Sequence, residues 1–232
     1  MTTAIVIQSR FSSTRLPGKA VRLMAGKPML SWVIERMLRV QAADFVIVAT
    51  SQHPTDDALE ELAVRSGAKC FRGELDDVLG RFVGVCQTFD LEAVVRISGD
   101  SPLIDPVLVT RAIRIFREER PDIVSNVWPR SFPRGQSVEV LSRATLERAD
   151  VDIVGDSREH VTSAMYLSAS NYRIVPFVSE INNQHLQLSV DTEADFRSVE
   201  RLMQATNGAH LGYGVNELVA LFNRITGGHI KA

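Results

Sequence analysis

Cysteine is scarce in this chain, with only Cys70 and Cys86 among 232 residues. They form no CxxC pair and fall in different predicted elements. That leaves no disulfide framework and no thiolate metal cluster, and two reduced thiols in a packed interior is the simplest reading. The histidines His53, His160, His185, His210 and His229 form neither an HxxxH pair nor a Cys/His cluster, so no structural zinc is expected. Positive charge is not in excess either. Lys and Arg total 26 against 28 Asp and Glu, a net −2, which argues against a general nucleic-acid binder but leaves room for a local basic pocket. No apolar run approaches the ~20 residues that span a bilayer. Met1-Thr2-Thr3 leads into a strand-like run without the charged and longer apolar regions of a signal peptide. The expected setting is the cytoplasm, with neither nucleic acid nor membrane as partner.

What is present is an α/β pattern. Hydrophobic residues make up 45% and charged residues 23%, enough for a full core in a chain of this length. Residues 4–7, 45–49 and 94–97 are short continuous apolar runs, as in strands buried on both faces of a parallel sheet. Between them Met29, Leu30, Val33, Ile34, Met37 and Leu38 mark one helix face. Thr55 is read as the N-cap of a helix running to Ala63, and 75–89 as a third helix. Asp105-Pro106 reads as an N-cap with proline at N1, opening a helix to about Glu119. After about Asp122 come strands over 123–127, 138–141, 172–178 and 185–190. Residues 129–135 read as a loop, with helices opening at Ser142 and spanning 156–166. Thr192 and Asp195 form a capping-box-like start to a helix with Phe196, Val199, Leu202 and Met203 on one face. Val215, Leu218, Val219 and Phe222 mark a final helix, and the end at Gly227-Gly228 is expected to fray. Strands alternating with helices imply right-handed βαβ units around a mostly parallel central sheet. No repeat or linker divides the chain, so 1–232 reads as a single domain.

Three segments carry candidate chemistry. The first, Arg10-Phe11-Ser12-Ser13-Thr14-Arg15-Leu16-Pro17-Gly18-Lys19, follows the first strand. A parallel sheet offers its ligand site there. Backbone amides and hydroxyls can cradle phosphate oxygens, while Arg10, Arg15 and Lys19 neutralise their charge. It is not a P-loop, which needs a hydroxyl residue after the lysine where Ala20 stands, and no GxGxxG is present. The plainer alternative is a solvated basic loop. In the second segment a buried run ends in Gly99-Asp100. A strand-end carboxylate suits a hard cation such as Mg²⁺, while Asp105 nearby is explained as a helix cap. The third, Leu188-Ser189-Val190-Asp191-Thr192, again ends in an aspartate before a helix, or is an ordinary acidic turn. Two strand-end aspartates together with a cationic loop make up the parts of a metal-assisted phosphoryl site.

Arg10-x-x-Ser13-x-Arg15-Leu16-Pro17-Gly18-Lys19, Gly99-Asp100-x-Pro102-Leu103-Ile104 and Val190-Asp191-Thr192 resemble the CMP-sugar synthetase group. That group includes the 3-deoxy-manno-octulosonate and acylneuraminate cytidylyltransferases. Pro133-x-Gly135-x-x-Val138-Glu139-Val140 and Arg158-Glu159-His160-Val161-Thr162 resemble most closely its spore coat polysaccharide biosynthesis protein F branch. The resemblance implies a nucleotide-diphospho-sugar transferase-like fold with a small variable lobe. It also implies a cytidylyltransferase that joins CMP from CTP to a sugar or acidic sugar-like acceptor, with release of pyrophosphate, in surface polysaccharide or glycoconjugate biosynthesis. Lys19 and Arg15 would then hold the β- and γ-phosphates, Arg10 and Ser13 would shape the nucleotide pocket, and Asp100 and Asp191 would hold Mg²⁺, or Mn²⁺ in its place. Two departures bear on the acceptor: Gln8-Ser9 replaces the Pro-Ala that precedes the arginine in the octulosonate enzymes, and Ser101 replaces a Glu.

Other residues stay open. His160 could touch the acceptor or sit on a helix surface. Arg130 and Arg134 would suit an anionic acceptor, or belong, with Glu139, to a solvated loop. Residues 127–178 read as a variable acceptor and dimerisation region. There Trp128, Phe132, Tyr166 and Tyr172 either line a homodimer interface or close the chain's own lobe. Two rival functions remain. A glycosyltransferase would carry a mid-chain DxD-type motif, and Asp56-Asp57 and Asp76-Asp77 lack the spacer, so none is read. A silent nucleotide-binding regulator need not keep Lys19, Asp100 and Asp191 together.

Overall fold

The computed structural model describes residues 1–227. The chain opens with β1 (Thr3–Gln8). A small hairpin, β2 (Leu23–Met24) and β3 (Lys27–Pro28), leads into α1 (Met29–Met37). Then come β4 (Phe45–Ser51), α2 (Asp57–Arg65), β5 (Lys69–Gly73), α3 (Val78–Thr88), β6 (Ala93–Ser98) and α4 (Pro106–Glu119). The second half contains β7 (Ile123–Ser125), β8 (Glu139–Ser142), α5 (Arg143–Asp152), α6 (Ser163–Leu167), β9 (Ile174–Pro176), α7 (Glu193–Ala205) and α8 (Val215–Ile225).

Seven strands form one sheet in the order β5-β4-β1-β6-β8-β7-β9. β5, β4, β1 and β6 run parallel, β8 is antiparallel to both β6 and β7, and β9 is parallel to β7. Residues 127–178 thus contribute β8 and β9 to the same sheet. The strands alternate sides with period two. Ile5, Ile7, Val46, Val48, Val95 and Ile97 pack on one face against α1, α2 and α4. Ala4, Val6, Ile47, Ala49 and Val94 pack on the other against α3 and α5. A third cluster joins Trp32, Leu188 and Val190 to α7 and α8. Each large aliphatic side chain buried in this way contributes about 1.5–3 kcal/mol. From β1 the chain moves out to β4 and β5, then crosses back to β6 on the other side of β1. The carboxyl ends of β1 and β6 therefore meet at the point where strand order reverses, the usual place for a crevice.

Local chemistry sets the element ends. Asp105 accepts from Val107 N–H at 2.8 Å and also from Val215 N–H at 2.8 Å, so one buried carboxylate caps both α4 and α8. The capping box of Thr192 and Asp195 opens α7. Several expectations need correction. Thr55 is not a helix cap. It lies within a 3₁₀ turn, Pro54–Asp56, whose N-cap is His53. The third helix starts at Val78, later than Leu75, because Asp77 accepts from Gly80 N–H and fixes its first turn. The helix expected over 156–166 is divided into a 3₁₀ turn, Gly155–His160, and α6, with Val161 between them at φ 11°. Residues 185–190 are not a strand: the run begins in a turn at His185 and bends at Ser189. Its one β-bridge pairs Gln187 with Arg134. β5 was not foreseen, since Lys69 and Arg72 break the apolar run of this edge strand. Of the fraying expected at Gly227-Gly228, Gly228 lies outside the described residues, as does His229.

Candidate active site

The basic loop after β1 is held at both ends. Ser9 N–H donates to Ala49 O at 3.1 Å, and Gly18 N–H returns to Phe11 O at 2.9 Å. Gly18 has φ +69°, and a Cβ there would lie 3.1 Å from the Phe11 ring, so glycine lets the loop fold back on itself. The anchor beneath is Asp56. Its carboxylate is 1% exposed and accepts from Phe11 N–H, Thr50 Oγ1, Ser51 N–H and Ser51 Oγ at 2.6–2.9 Å. Burial pushes this carboxyl up, but the hydrogen bonds from Ser51, Phe11 and Thr50 outweigh it and hold it below its usual value.

Lys19, Asp100 and Asp191 come together although 81 and 171 or more positions separate the lysine from the other two segments. Lys19 Nζ donates to Val190 O at 2.6 Å and to Asp100 Oδ2 at 3.3 Å, and lies 3.8 Å from Asp191 Oδ1. Arg15 donates to the same Asp191 Oδ1 at 2.7 Å. Two distant carboxylates thus lie within reach of one ammonium group. Close backbone contacts bring them there. Gly99 N–H donates to Gln8 O at 2.9 Å, and a Cβ on Gly99 would sit 2.8 Å from Ser9 Cβ, so glycine allows the ends of β1 and β6 to meet. Val190 N–H donates to Asp100 O at 2.9 Å, joining the two aspartate-bearing segments directly. Gly135, at φ +93°, packs on the backbone of Leu188 and Ser189, where a Cβ would lie 2.5 Å from Leu188 C. Arg134 brackets that contact, with Arg134 N–H on Leu186 O and Leu188 N–H on Arg134 O.

These groups line a cavity of about 310 Å³. Arg10, Ser13, Arg15 and Lys19 from the loop share its wall with Ser98, Gly99, Asp100 and Asp191. All six site residues expected from sequence therefore face one space. Arg10 is ion-paired with Glu159, and exposed His160 also lines the wall. Arg158 holds this segment in place by a two-point contact with Asp77 at 2.8–2.9 Å. Arg130, Arg134 and Glu139 are not part of the wall. Glu139 is buried and bound by Arg96 and Tyr166, and Arg130 donates to Ser137 Oγ.

Two residues escaped the sequence reading. In the sequence Asp56 shows only as half of the acidic pair Asp56-Asp57. Arg81 of α3 is 3% exposed and lines the cavity, and burial pushes its pKa down. It could have been found as a lone cation on a helix whose neighbours Val78, Leu79, Phe82, Val83, Val85 and Cys86 are all buried. A DxD triplet does exist, Asp150-Val151-Asp152, against the expectation of none. It ends α5, Asp150 is held by Arg158, and neither acid lines the cavity.

The carboxylate pair can hold a divalent cation. Both donors are hard oxygens, and a lysine ammonium already stands between them as a monovalent stand-in. Among the described residues no group of three or more His, Cys, Asp or Glu forms a metal cage. One or two carboxylates completed by phosphate oxygens and water is the pattern Mg²⁺ favours.

The sequence profile of the cytidylyltransferase family matches residues 4–208. The spore coat polysaccharide biosynthesis protein SpsF of Bacillus subtilis is 29% identical over 227 residues, which cover 94% of this chain and 93% of that protein. Among solved structures, a cytidylyltransferase from Leptospira borgpetersenii superposes with a TM-score of 0.94 at 25% identity, covering 98% of this chain and 96% of that one. The CMP:2-keto-3-deoxy-manno-octonic acid synthetase complexed with CTP shares the fold, with a TM-score of 0.71 at 21% identity over 88% of this chain and 99% of that one.

Proposed function

The chain belongs to the cytidylyltransferase family, and from that premise we propose that it transfers CMP from CTP to a sugar-like, acidic acceptor with release of pyrophosphate, in the building of surface polysaccharide or glycoconjugate. The observation that carries this reading is the convergence of Lys19, Asp100 and Asp191 in one cavity at the carboxyl ends of β1 and β6. CTP as donor is supported by the family and by the CTP bound to the related octonic acid synthetase. The polysaccharide setting is supported by the kinship with the spore coat protein.

In this reading an acceptor hydroxyl oxygen attacks the α-phosphorus of CTP and gives up its proton to solvent. The α–β phosphoanhydride bond breaks, and pyrophosphate leaves with the negative charge. Lys19 and Arg15 hold the β- and γ-phosphates and neutralise the charge that grows on the leaving group. Arg10 and Ser13, at the other side of the loop, shape the nucleotide pocket. The loop, stapled through Phe11 and Gly18, positions these groups before substrate arrives, so little reorganisation remains at the moment of reaction. Asp100 and Asp191 would hold Mg²⁺, or Mn²⁺, which when bound screens the phosphate charge and orients the α-phosphoryl group. Without such a cation the two carboxylates offset Lys19 and Arg15, which leaves little positive charge beside the phosphates.

The whole chain acts as one domain in this account, and a homodimer formed through residues 127–178 is part of the proposal. No helix among the described residues is long and apolar enough to cross a membrane, and a cytoplasmic site of action is proposed. The test is pyrophosphate release over a panel of nucleoside triphosphates and acidic sugars with Mg²⁺. Release that requires both CTP and an acidic sugar supports the reading. Release with none of the pairs, or transfer of a whole sugar from a nucleotide sugar, overturns it.

A further inference from the structure

A second cavity, of about 450 Å³, lies between the β2–β3 hairpin, α1 and the carboxyl end of α7, and shares no lining residue with the first. Trp32 gives it an apolar wall. That ring is 7% exposed and its one polar atom, Nε1, already donates to Met24 O at 2.8 Å, so it offers carbon alone. Met203 and Ala25 extend the same surface.

Among the described residues that line this cavity, only His210 has a buried side-chain atom without a hydrogen-bond partner, Nε2. The residue is 4% exposed. Its ring donates to the Gly208 backbone, and with Nε2 unpartnered that donor is Nδ1–H. In the neutral ring Nε2 is then a bare acceptor. A buried acceptor left unmet is costly and marks a place that something else completes. The carboxylate that faces it, Glu35 Oε1, stands 3.8 Å away and is itself an acceptor, while Glu35 Oε2 accepts from Lys27 at 2.8 Å. A proton on Nε2 would make this an ion pair. Burial opposes that proton, as do Arg36 and Lys27, and together they outweigh Glu35 and the Gly208 bond. The ring is held below its usual value, so at neutral pH the uncharged form dominates and acceptor faces acceptor. A nitrogen with more than one hydrogen to give would satisfy both.

The charge of the cavity points the same way. Glu200 lines it, with Oε1 accepting from Ala25 N–H at 2.9 Å, and among the described residues no lysine or arginine does. A phosphate or carboxylate would find no counter-charge there. A primary ammonium on an apolar stem meets each demand: hydrogens for Nε2, positive charge for Glu35 and Glu200, and carbon for Trp32 and Met203.

Position says what occupancy would do. The hairpin follows the basic loop, and α7 follows Asp191. Arg22, just past Lys19, is bound to Glu193, just past Asp191. Ala25 is held by Glu200, about two turns further along α7. The cavity thus lies between continuations of the two segments whose Lys19 and Asp191 stand 3.8 Å apart. We infer that this cavity is a second ligand site, which takes a small primary amine with an apolar stem and acts from there on the Lys19–Asp191 contact. The action rests on reading the first cavity as the nucleotide site; the amine site does not.

Calorimetric titration of the full chain with phenethylamine tests it. Phenylacetate, of opposite charge, and phenethyltrimethylammonium, which keeps the charge but has no N–H, should each bind at least about tenfold more weakly. His210→Phe keeps a ring against Trp32 and removes the acceptor, and should lower phenethylamine affinity roughly tenfold or more. His210→Gln returns an acceptor and should recover part of the loss. Should His210→Phe fail to fold, the two comparison compounds decide on the wild type. No binding of phenethylamine, equal binding of the three compounds, or affinity that survives His210→Phe would overturn the site. Saturating CTP with Mg²⁺ should change phenethylamine affinity at least about fivefold, and phenethylamine should change CTP affinity by the same factor. An unchanged affinity would overturn the action on the first cavity. A wild type that binds phenethylamine but no CTP would sink the nucleotide reading and that action with it, and leave the amine site standing.

Discussion

Single side chains carry the sharpest expectations. Lys19 contacts both aspartates and belongs to none of the three apolar clusters, so Lys19→Ala should fold and lose about 3–4 kcal/mol of transition-state stabilisation, the scale of one well-placed electrostatic group. Asp100→Asn should act on the same scale by removing charge while keeping shape, and EDTA should mimic it reversibly. Steady-state pyrophosphate release beside thermal unfolding checks all three, and near-normal turnover would remove that group from the mechanism. Asp56 governs acid stability. Its folded-state pKa lies below the unfolded value of ~3.9, so its stabilisation is full above that value and is lost as pH falls through the lower folded one. Asp56→Asn turns a donor toward groups that are themselves donors. It should cost roughly 2–3 kcal/mol at neutral pH and flatten the stability profile below about pH 4, as urea midpoints across pH would show. The thiols supply a control on packing. Burial pushes Cys70 up to about 11 and Cys86 up to about 12. At pH 8 only about one Cys70 in a thousand is thiolate, so iodoacetamide should label neither until urea unfolds the chain.

At the scale of elements, legibility followed burial and capping. The three apolar runs that became β1, β4 and β6, and the Asp105 and Thr192 caps, were legible because each is written in a few adjacent residues. β5 was not, since an edge strand need not be apolar on both faces and Lys69 and Arg72 look like turn chemistry. The 185–190 run has strand composition but bridges at one point only, to Arg134, beside the close approach of Gly135 to Leu188 and Ser189. The loop and Asp100 were legible as a site through their positions after strands, and Asp191 through its place just before α7, although the run that leads to it is no strand. Asp56 was not, because its partners Phe11, Thr50 and Ser51 lie in other elements, and Arg81 was not, because nothing adjacent to it in sequence marks the cavity it lines. Gly135 shows how such a distant contact acts on the site. Gly135→Ala would place a methyl 2.5 Å from Leu188 C at φ +93°, so the backbone leading to Asp191 must move. Turnover with Mg²⁺ should drop at least tenfold, since a displacement of about 1 Å costs on the order of 100-fold. Unchanged turnover would show that Asp191 tolerates a loose mount.

The whole molecule raises the question of what covers residues 127–178. Aromatic content alone is a weak argument for an interface. Phe132 is buried against Phe177, and Tyr166 is bound through its hydroxyl to Glu139 and Ser125, so these two close the chain on itself. Trp128 is different. It stacks on Tyr166 at 5.8 Å and is still 43% exposed. From the same stretch Val151, Val154 and Leu167 are 80%, 77% and 90% exposed, apolar surface that a partner could cover. A second copy of this chain would bury them symmetrically, and an isologous contact would present the same residues from both partners. Light scattering at micromolar concentration should therefore give twice the monomer mass. Leu167→Glu combined with Val154→Asp should shift the mass toward the monomer, because a buried unpaired charge opposes association on both sides of the two-fold. Val64→Asp, in α2 at 62% exposure, is the control and should leave the mass unchanged. A wild type of monomer mass would leave this apolar stretch without the partner assigned to it. Equal masses in all variants would move the interface elsewhere on the surface.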